Sequence, residues 1–309
     1  MNKQNQHILV TGVPRSGTTF LGTILSLPKE VGYIREPFNR DFGLTGLEYQ
    51  FPYLYSGMKD ENMYRSMVEA LFARRAEFKP LPITSANNIK QAAGRLLFKS
   101  GSNFSYVKSI ANPMVQRYLL KDPMISLGSE YLHREYNMQV VVIIRKSLPN
   151  IASMRRVGVY HTIEGLLEQN PLYEEFLKPY VSPYIGKQLE PLEQQALLWT
   201  AINAVLLEYI QRNPRFIVVF HHDLARKPVS VTKKIYQALG LDFTPAIARK
   251  IKDYTSRENV ATVDSSRMHV LKRNSSAIAD VKKGVFTEEE EATIANITQP
   301  LENKLMSSV

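Results

Sequence analysis

Five short runs of β-branched and aromatic residues punctuate the chain: HILVTG (7–12), QVVVIIR (139–145), RFIVVFH (215–221) and the shorter VGYI (31–34) and RYLL (117–120). Their apolar positions are consecutive rather than alternating, the pattern of strands covered on both faces in a parallel sheet. Helical periodicity fills the intervals. Residues 18–27 stop before Pro28, 126–136 and 149–156 flank the central strand, and 229–239 end at Gly240, a left-handed C-cap signal. A long helix over about 192–212 carries apolar residues at 197, 198, 201, 202, 205, 206 and 210, a buried stripe. Strands alternating with helices predict an α/β fold with a central parallel sheet flanked by helices, whose ligands bind at the carboxyl ends of strands.

Two stretches break the alternation. Residues 40–75 cluster aromatics at Phe42, Tyr49, Phe51, Tyr53, Tyr55 and Tyr64; residues 160–193 carry Pro171, Pro179, Pro183 and Pro191 among Tyr160, Tyr173, Tyr180 and Tyr184. They read as helical and aromatic inserts, at about 40–100 and 157–192, in a single domain spanning 1–309. A hydrophobic lid or a sugar-facing surface suits them, beside ordinary packing.

The 309 residues, 44% hydrophobic, are enough for a sizeable core. Cysteine is absent, which excludes disulfides, thiolate nucleophiles and cysteine-bound zinc. The polar residues 1–7 contain no secretory signal, and the longest dense apolar run, 140–144, is too short to span a bilayer. The expectation is a cytoplasmic protein with no integral membrane segment. A net charge of +10 favours a polyanionic ligand. The cations are dispersed, so nucleic acid is not an expected partner, whereas peripheral contact with an anionic membrane stays compatible with them.

The segment ILVTGVPRSGTTFL (8–21) runs from a strand through a loop with Gly12 and Gly17 into a helix. Such a loop gathers backbone N–H groups from Arg15, Ser16, Gly17, Thr18 and Thr19 and a helix N-terminus around an anion. The nucleotide-triphosphate signature G-x-x-x-x-G-K-[ST] needs lysine at position 18, where Thr18 stands. Arg15, inside the loop, can instead fork onto a terminal phosphate and the group bridged to it. Further along, VVIIRKSLPNIAS (141–153) places Arg145 at a strand end and Ser153 eight residues later, a turn past Pro149 in the next helix; that spacing alone is a weak signal, but it is compatible with both reaching one phosphate. His221 and His222, adjacent on a strand end, point to opposite faces and lack metal-ligand spacing; no metal is expected.

These motifs resemble those of sulfotransferases. PRSGTT (14–19) is similar to their 5′-phosphosulfate loop, and Arg145 with Ser153 to their 3′-phosphate motif. LKRNSS (271–276), followed by DVKKGVFT (280–287), resembles a basic loop over the 3′-phosphate, without the family's arginine-lysine-glycine triplet; Lys272 and Arg273 carry that likeness. The resemblance spans residues 8 to about 300. It implies a P-loop NTPase-like sulfotransferase fold, 3′-phosphoadenosine 5′-phosphosulfate (PAPS) as co-substrate, adenosine 3′,5′-bisphosphate (PAP) as product, and no metal requirement.

No histidine occurs between His7 and His133, so the cytosolic enzymes' histidine base has no counterpart. IREPFN (34–39) resembles instead the glutamate-proline element of carbohydrate and tyrosylprotein sulfotransferases, implying Glu36 as general base. The bland alternative is a strand-end salt bridge from Glu36 to a neighbouring arginine. LKDP (120–123) resembles the lysine-aspartate-proline element, implying Lys121 as a cation beside the transferring group, with Arg15 sharing that work and Ser266 a weaker hydrogen-bond donor. The implied acceptor is a glycan, glycolipid or other polar hydroxyl compound. A kinase-like phosphotransferase and a non-catalytic nucleotide- or glycan-binding protein are the competing readings.

Overall fold

All five apolar runs fold as strands, the two shorter ones each one residue longer than their patterns predict. The structure, a computed structural model, describes residues 6–82, 89–256 and 284–308. Strand β1 (Ile8–Thr11) leads to helix α1 (Thr18–Leu25), β2 (Val31–Arg35), helices α2 (Glu61–Phe72), α3 (Ile89–Phe98) and α4 (Gly101–Ile110), then β3 (Arg117–Lys121), α5 (Ser129–Tyr136) and β4 (Gln139–Ile144). Helix α6 (Ser147–Val157) follows, then short helical turns over 164–184 and the long α7 (Pro191–Arg212). The chain continues through β5 (Ile217–Phe220), α8 (His221–Arg226), α9 (Pro228–Leu239), α10 (Pro245–Thr255) and α11 (Glu288–Ser308). The sheet order is β2-β3-β1-β4-β5, with β1–β3, β2–β3 and β4–β5 paired in parallel.

Boundary differences have local causes. Helix α1 ends at Leu25 because the Leu27 amide already donates to Ile24 O (3.2 Å), a tightened last turn ahead of Pro28. The expected helix over 126–136 opens as a separate 3-10 turn, Ser126–Gly128, before α5. Helix α6 starts at Ser147, not 149, because Glu302, 155 residues away, accepts both the Ser147 amide (2.9 Å) and its hydroxyl (2.6 Å). No local pattern reveals a cap supplied from so far along the chain. Among the described residues, no helix is long and apolar enough to cross a membrane.

Two compact units make up the chain: Met1–Thr11 with Leu21–Val140, and Gly12–Phe20 with Val141–Val309. In the first, Leu9, Val10, Leu21, Ile24, Ile34, Leu119 and Leu120 are fully buried. Phe51, Tyr53 and Tyr64 of the aromatic stretch are buried too, so packing accounts for them. Strand β2 is the sheet's edge, whose outward backbone groups need partners. Helix α4 supplies them from a row of serines. Ser109 Oγ donates to Tyr33 O (2.8 Å), Ser105 Oγ accepts from the Arg35 amide (2.9 Å), and Ser102 Oγ donates to Glu36 O (3.4 Å). Spacings of three and four residues put all three hydroxyls on one helix face. The small side chains also let α4 approach: a Cβ on Gly32 would lie 3.0 Å from Ser109.

The second unit is built around α7, buried on most of its circumference from Gln195 to Leu207 and entered through Pro191 and a capping box between Glu190 and Glu193. Trp199, inside that helix, donates its indole N–H to Arg145 O (3.0 Å).

His7 carries a pH signature. Its ring stacks on Phe72 (centroids 4.1 Å apart), and its Nδ1 accepts the Tyr118 amide (3.0 Å), which requires a neutral imidazole. Burial, reinforced by Arg117, pulls its pKa to about 4. Because the folded-state value is depressed, stability is unaffected above pH 6.5 and declines as pH falls from 6.5 towards 4, where only the unfolded chain takes the proton. The expected loss is about 2–3 kcal/mol between pH 7 and pH 4.5. Denaturant unfolding of wild type and His7→Gln at both pH values measures it, and the variant should lack that increment.

Candidate active site

The loop after β1 belongs to the second unit, and its backbone is unusual. Gly12, Arg15 and Gly17 all have positive φ, at 144°, 69° and 104°. Gly12 cannot carry a side chain, since a Cβ would sit 2.3 Å from Ile143 O. Arg15 is not glycine, so its left-handed conformation costs about 1–2 kcal/mol. Three residues far along the chain hold the loop in place. Asn150, fully buried, donates from Nδ2 to Pro14 O (3.0 Å) and to Ser16 Oγ (3.3 Å). Arg145 Nη1 donates to Arg15 O (2.8 Å), and Arg15 Nε donates to Ser153 Oγ (3.4 Å). Arg15, Ser16, Arg145 and Ser153, selected on sequence, are thus brought together. Thr18 and Thr19 open α1, whose N-terminus adds its partial positive charge.

This cluster presents two guanidinium groups, hydroxyls and a helix N-terminus, the chemistry of an oxyanion site. The donor set fits a multiply phosphorylated ligand. Asn150 is a member that sequence reasoning passed over; its place five residues after Arg145, in the first turn of α6, was the available signal. His221 is another. Its Cδ2 lies 3.0 Å from where a Gly17 Cβ would stand, and burial, then Arg145 and His222, hold it well below the usual histidine range. It is therefore neutral beside the loop. The expectation that His221 and His222 alternate across a strand end is corrected: β5 stops at Phe220, and both histidines open helix α8.

The first unit holds the other selected residues. Glu36 follows the last β2–β3 pair, Arg35 with Lys121, and its amide donates to Lys121 O (2.8 Å). The chain then leaves the sheet with Glu36 at φ 43°, although Pro37 follows and disfavours helical conformations before it. Such strain costs about 1–3 kcal/mol and characteristically gathers at functional sites. The Glu36 side chain, 13% exposed, accepts from Lys121 Nζ on Oε1 and from Asn39 Nδ2 on Oε2 (3.3 Å). The Lys121 side chain is 1% exposed. Burial lowers its pKa, and the adjacent Glu36 charge opposes that. Glu36 thus makes a salt bridge as the bland alternative requires, with a lysine in the role expected of an arginine.

Asp122 completes the group. It is fully buried and raised to about 7 by burial and then by the Glu36 charge, against two backbone N–H donors and Lys121. Tyr33, nearby, is raised mainly by burial. Lys272, Arg273 and Ser266 lie outside the described residues. Among the described residues no three histidine, aspartate or glutamate side chains gather in a metal-binding group.

A protein-family model described as a sulfotransferase family matches residues 7–245. No curated protein matches significantly. Solved structures are similar at a distance. The sulfotransferase domain from the curacin biosynthetic pathway is 13% identical, with 94% of this chain and 96% of that one covered and a TM-score of 0.46. Mouse sulfotransferase SULT7A1, complexed with PAP, is 14% identical, with 96% and 84% covered and a TM-score of 0.43. Sulfotransferase STF9 from Mycobacterium avium is 14% identical, with 99% and 77% covered and a TM-score of 0.45.

The loop's dependence on Gly12 is directly testable. Gly12→Ala forces a Cβ against the Ile143 carbonyl at a φ that L residues rarely adopt. It should lose about 2–5 kcal/mol, summing overpacking and backbone strain. Thermal unfolding reads this as a clear fall in Tm; an unchanged Tm contradicts the loop conformation described here.

Proposed function

Because the chain belongs to the sulfotransferase family, we propose that it transfers a sulfonyl group from PAPS to the hydroxyl of a glycan, glycolipid or similar polar acceptor, with Glu36 as general base. The observation that carries this reading is the linkage of Arg15 to Arg145 and to Ser153, 130 and 138 positions further along the chain, at one loop. When bound, PAPS supplies the activated sulfonyl group and a bisphosphate leaving group.

The chain's own residues divide the work. Arg15, Ser16, Gly17, Thr18 and Thr19 hold the 5′-side oxyanions, and Arg145 with Ser153 holds the 3′-phosphate. Lys272 and Arg273 are assigned to that phosphate by resemblance. A loop without lysine at position 18 favours such a ligand over a nucleoside triphosphate. Glu36 takes the proton of the acceptor hydroxyl, which makes the oxygen a competent nucleophile. Its strained backbone and its largely buried side chain, 13% exposed, support that role. Proton uptake also cancels the charge that faces Lys121. The lysine's ammonium is then available to negative charge accumulating on the reacting group, the electrostatic assistance that transfer of such groups requires. Support for a polar acceptor comes from the glutamate-proline element at 36–37.

Two variants separate binding from chemistry. Arg145→Ala removes a charged hydrogen-bond donor and should weaken PAP binding by about 10- to 100-fold in calorimetry; unchanged affinity removes Arg145 from the 3′-phosphate site. Glu36→Gln should bind PAP as wild type does yet lose roughly 10²–10⁴-fold in kcat for transfer of radiolabelled sulfonate from PAPS. The acceptors for that assay come from extracts fractionated into lipids, polysaccharides, peptides and small molecules. Full turnover by this variant would remove Glu36 as the base.

A further inference from the structure

We propose that Asp122 is a positioning residue for this reaction, its two carboxylate oxygens pinning the Phe38 and Met124 amides and so holding Glu36 in the turned-out conformation that faces Lys121. The inference rests on the reading of Glu36 as the base. Parallel pairing of β2 with β3 ends at Arg35 and Lys121, and the next residue on each strand leaves the ladder. On the β3 side, the Asp122 amide still donates to Val10 O (3.0 Å), which keeps Asp122 anchored in the sheet. On the β2 side, Glu36 turns away and Pro37 has no amide to donate. Phe38 therefore carries the first N–H after the turn that can fix its direction, and it donates to Asp122 Oδ2 at 2.6 Å. Asp122 Oδ1 accepts from Met124 (2.8 Å), so neither oxygen can swing away without breaking a buried bond.

Glu36 itself is tied to Lys121 through its amide and its carboxylate, but the other contacts around the turn are weaker or local. Ser102 reaches Glu36 O at 3.4 Å, and the Asn39 amide closes on the same carbonyl at 3.2 Å. Among the described residues, Asp122 is what ties the Phe38 amide back to the end of β3. Its carboxyl group also lies within the Glu36–Lys121 group: burial and Glu36 raise its pKa to about 7, while the amide donors and Lys121 favour the carboxylate. A neutral amide at position 122 keeps the volume, but its nitrogen cannot accept an N–H. One of the two pins is lost.

The experiment compares wild type, Glu36→Gln and Asp122→Asn side by side. Asp122→Asn should lower kcat roughly 10²-fold, the cost of a base misplaced by about an ångström, while KM for PAPS and the calorimetric affinity for PAP stay within about twofold, which a general loss of structure would not spare. Wild-type turnover in Asp122→Asn, alongside an inactive Glu36→Gln, overturns the positioning role but leaves the base assignment intact. Turnover in Glu36→Gln overturns both. A crystal structure of Asp122→Asn should show Glu36 φ moved from 43° to negative values and the Lys121 contact opened; an unmoved turn refutes the pin. Hydrogen exchange on the unmodified protein needs no variant. The Phe38 amide should be protected as strongly as the amides of β3, and exchange at the rate of an open amide overturns the proposal.

Discussion

A lysine ammonium removed almost completely from water must find a counter-charge where it stands, because moving either charge alone into the interior costs several kcal/mol. Lys121 meets that requirement at the last position of β3, and much of the first unit's local geometry follows. Its partner has to come from the neighbouring strand, one residue beyond the last pair, so Glu36 must turn out of the sheet at once. The serine row of α4 that satisfies the edge of β2 at Tyr33 and Arg35 extends to the turn itself, where Ser102 donates to Glu36 O. The turn also needs a rigid underside, which Asp122 provides. Gly22 in α1 is small for the same reason: a Cβ there would come within 2.8 Å of the Lys121 stem.

The second unit solves a related problem with the opposite sign. There the loop gathers donors and cations instead of balancing them with carboxylates. Asn150 and Arg145 spend their own hydrogen bonds on loop carbonyls, fixing the backbone first, so that Arg15 is directed from a held carbonyl and a held side chain. An anion bound to such a preformed set of donors meets little reorganisation. Both units thus place a long charged side chain, Arg15 in one and Glu36 in the other, on a non-glycine residue with positive φ.

The strands and most helices were legible because their signals are local. QVVVIIR reads as a buried strand in any context, and Gly240 ends α9 with φ 68° as its position after an apolar run suggests. Arg15, Arg145 and Ser153 could be selected because their motifs resemble those of a known family, and their places in a loop, at a strand end and in the next helix suit a phosphate. What stayed hidden depends on distant partners. The Glu302 cap on α6, the Asn150 bonds to Pro14 and Ser16, and the serine row beneath β2 each join segments between 66 and 155 residues apart. Serine and asparagine carry weak sequence signals, since they are ordinary in loops and on surfaces. His221 was misjudged because two adjacent histidines after a strand look like its continuation, whereas the chain turns into a helix at that residue.

The conformation of Arg15 sets selection for folding against selection for activity. Glycine would relax the backbone at that position and remove a cation from a crowded basic loop, both favourable to the folded state on its own. An evolution experiment that scores only expression or heat resistance should therefore drift towards glycine at 15, silently erasing the charge that the proposed function assigns to the ligand. Arginine persists there only while turnover is under selection. The identity of residue 15 in a newly found homologue is then a readable marker of whether that lineage still uses the loop.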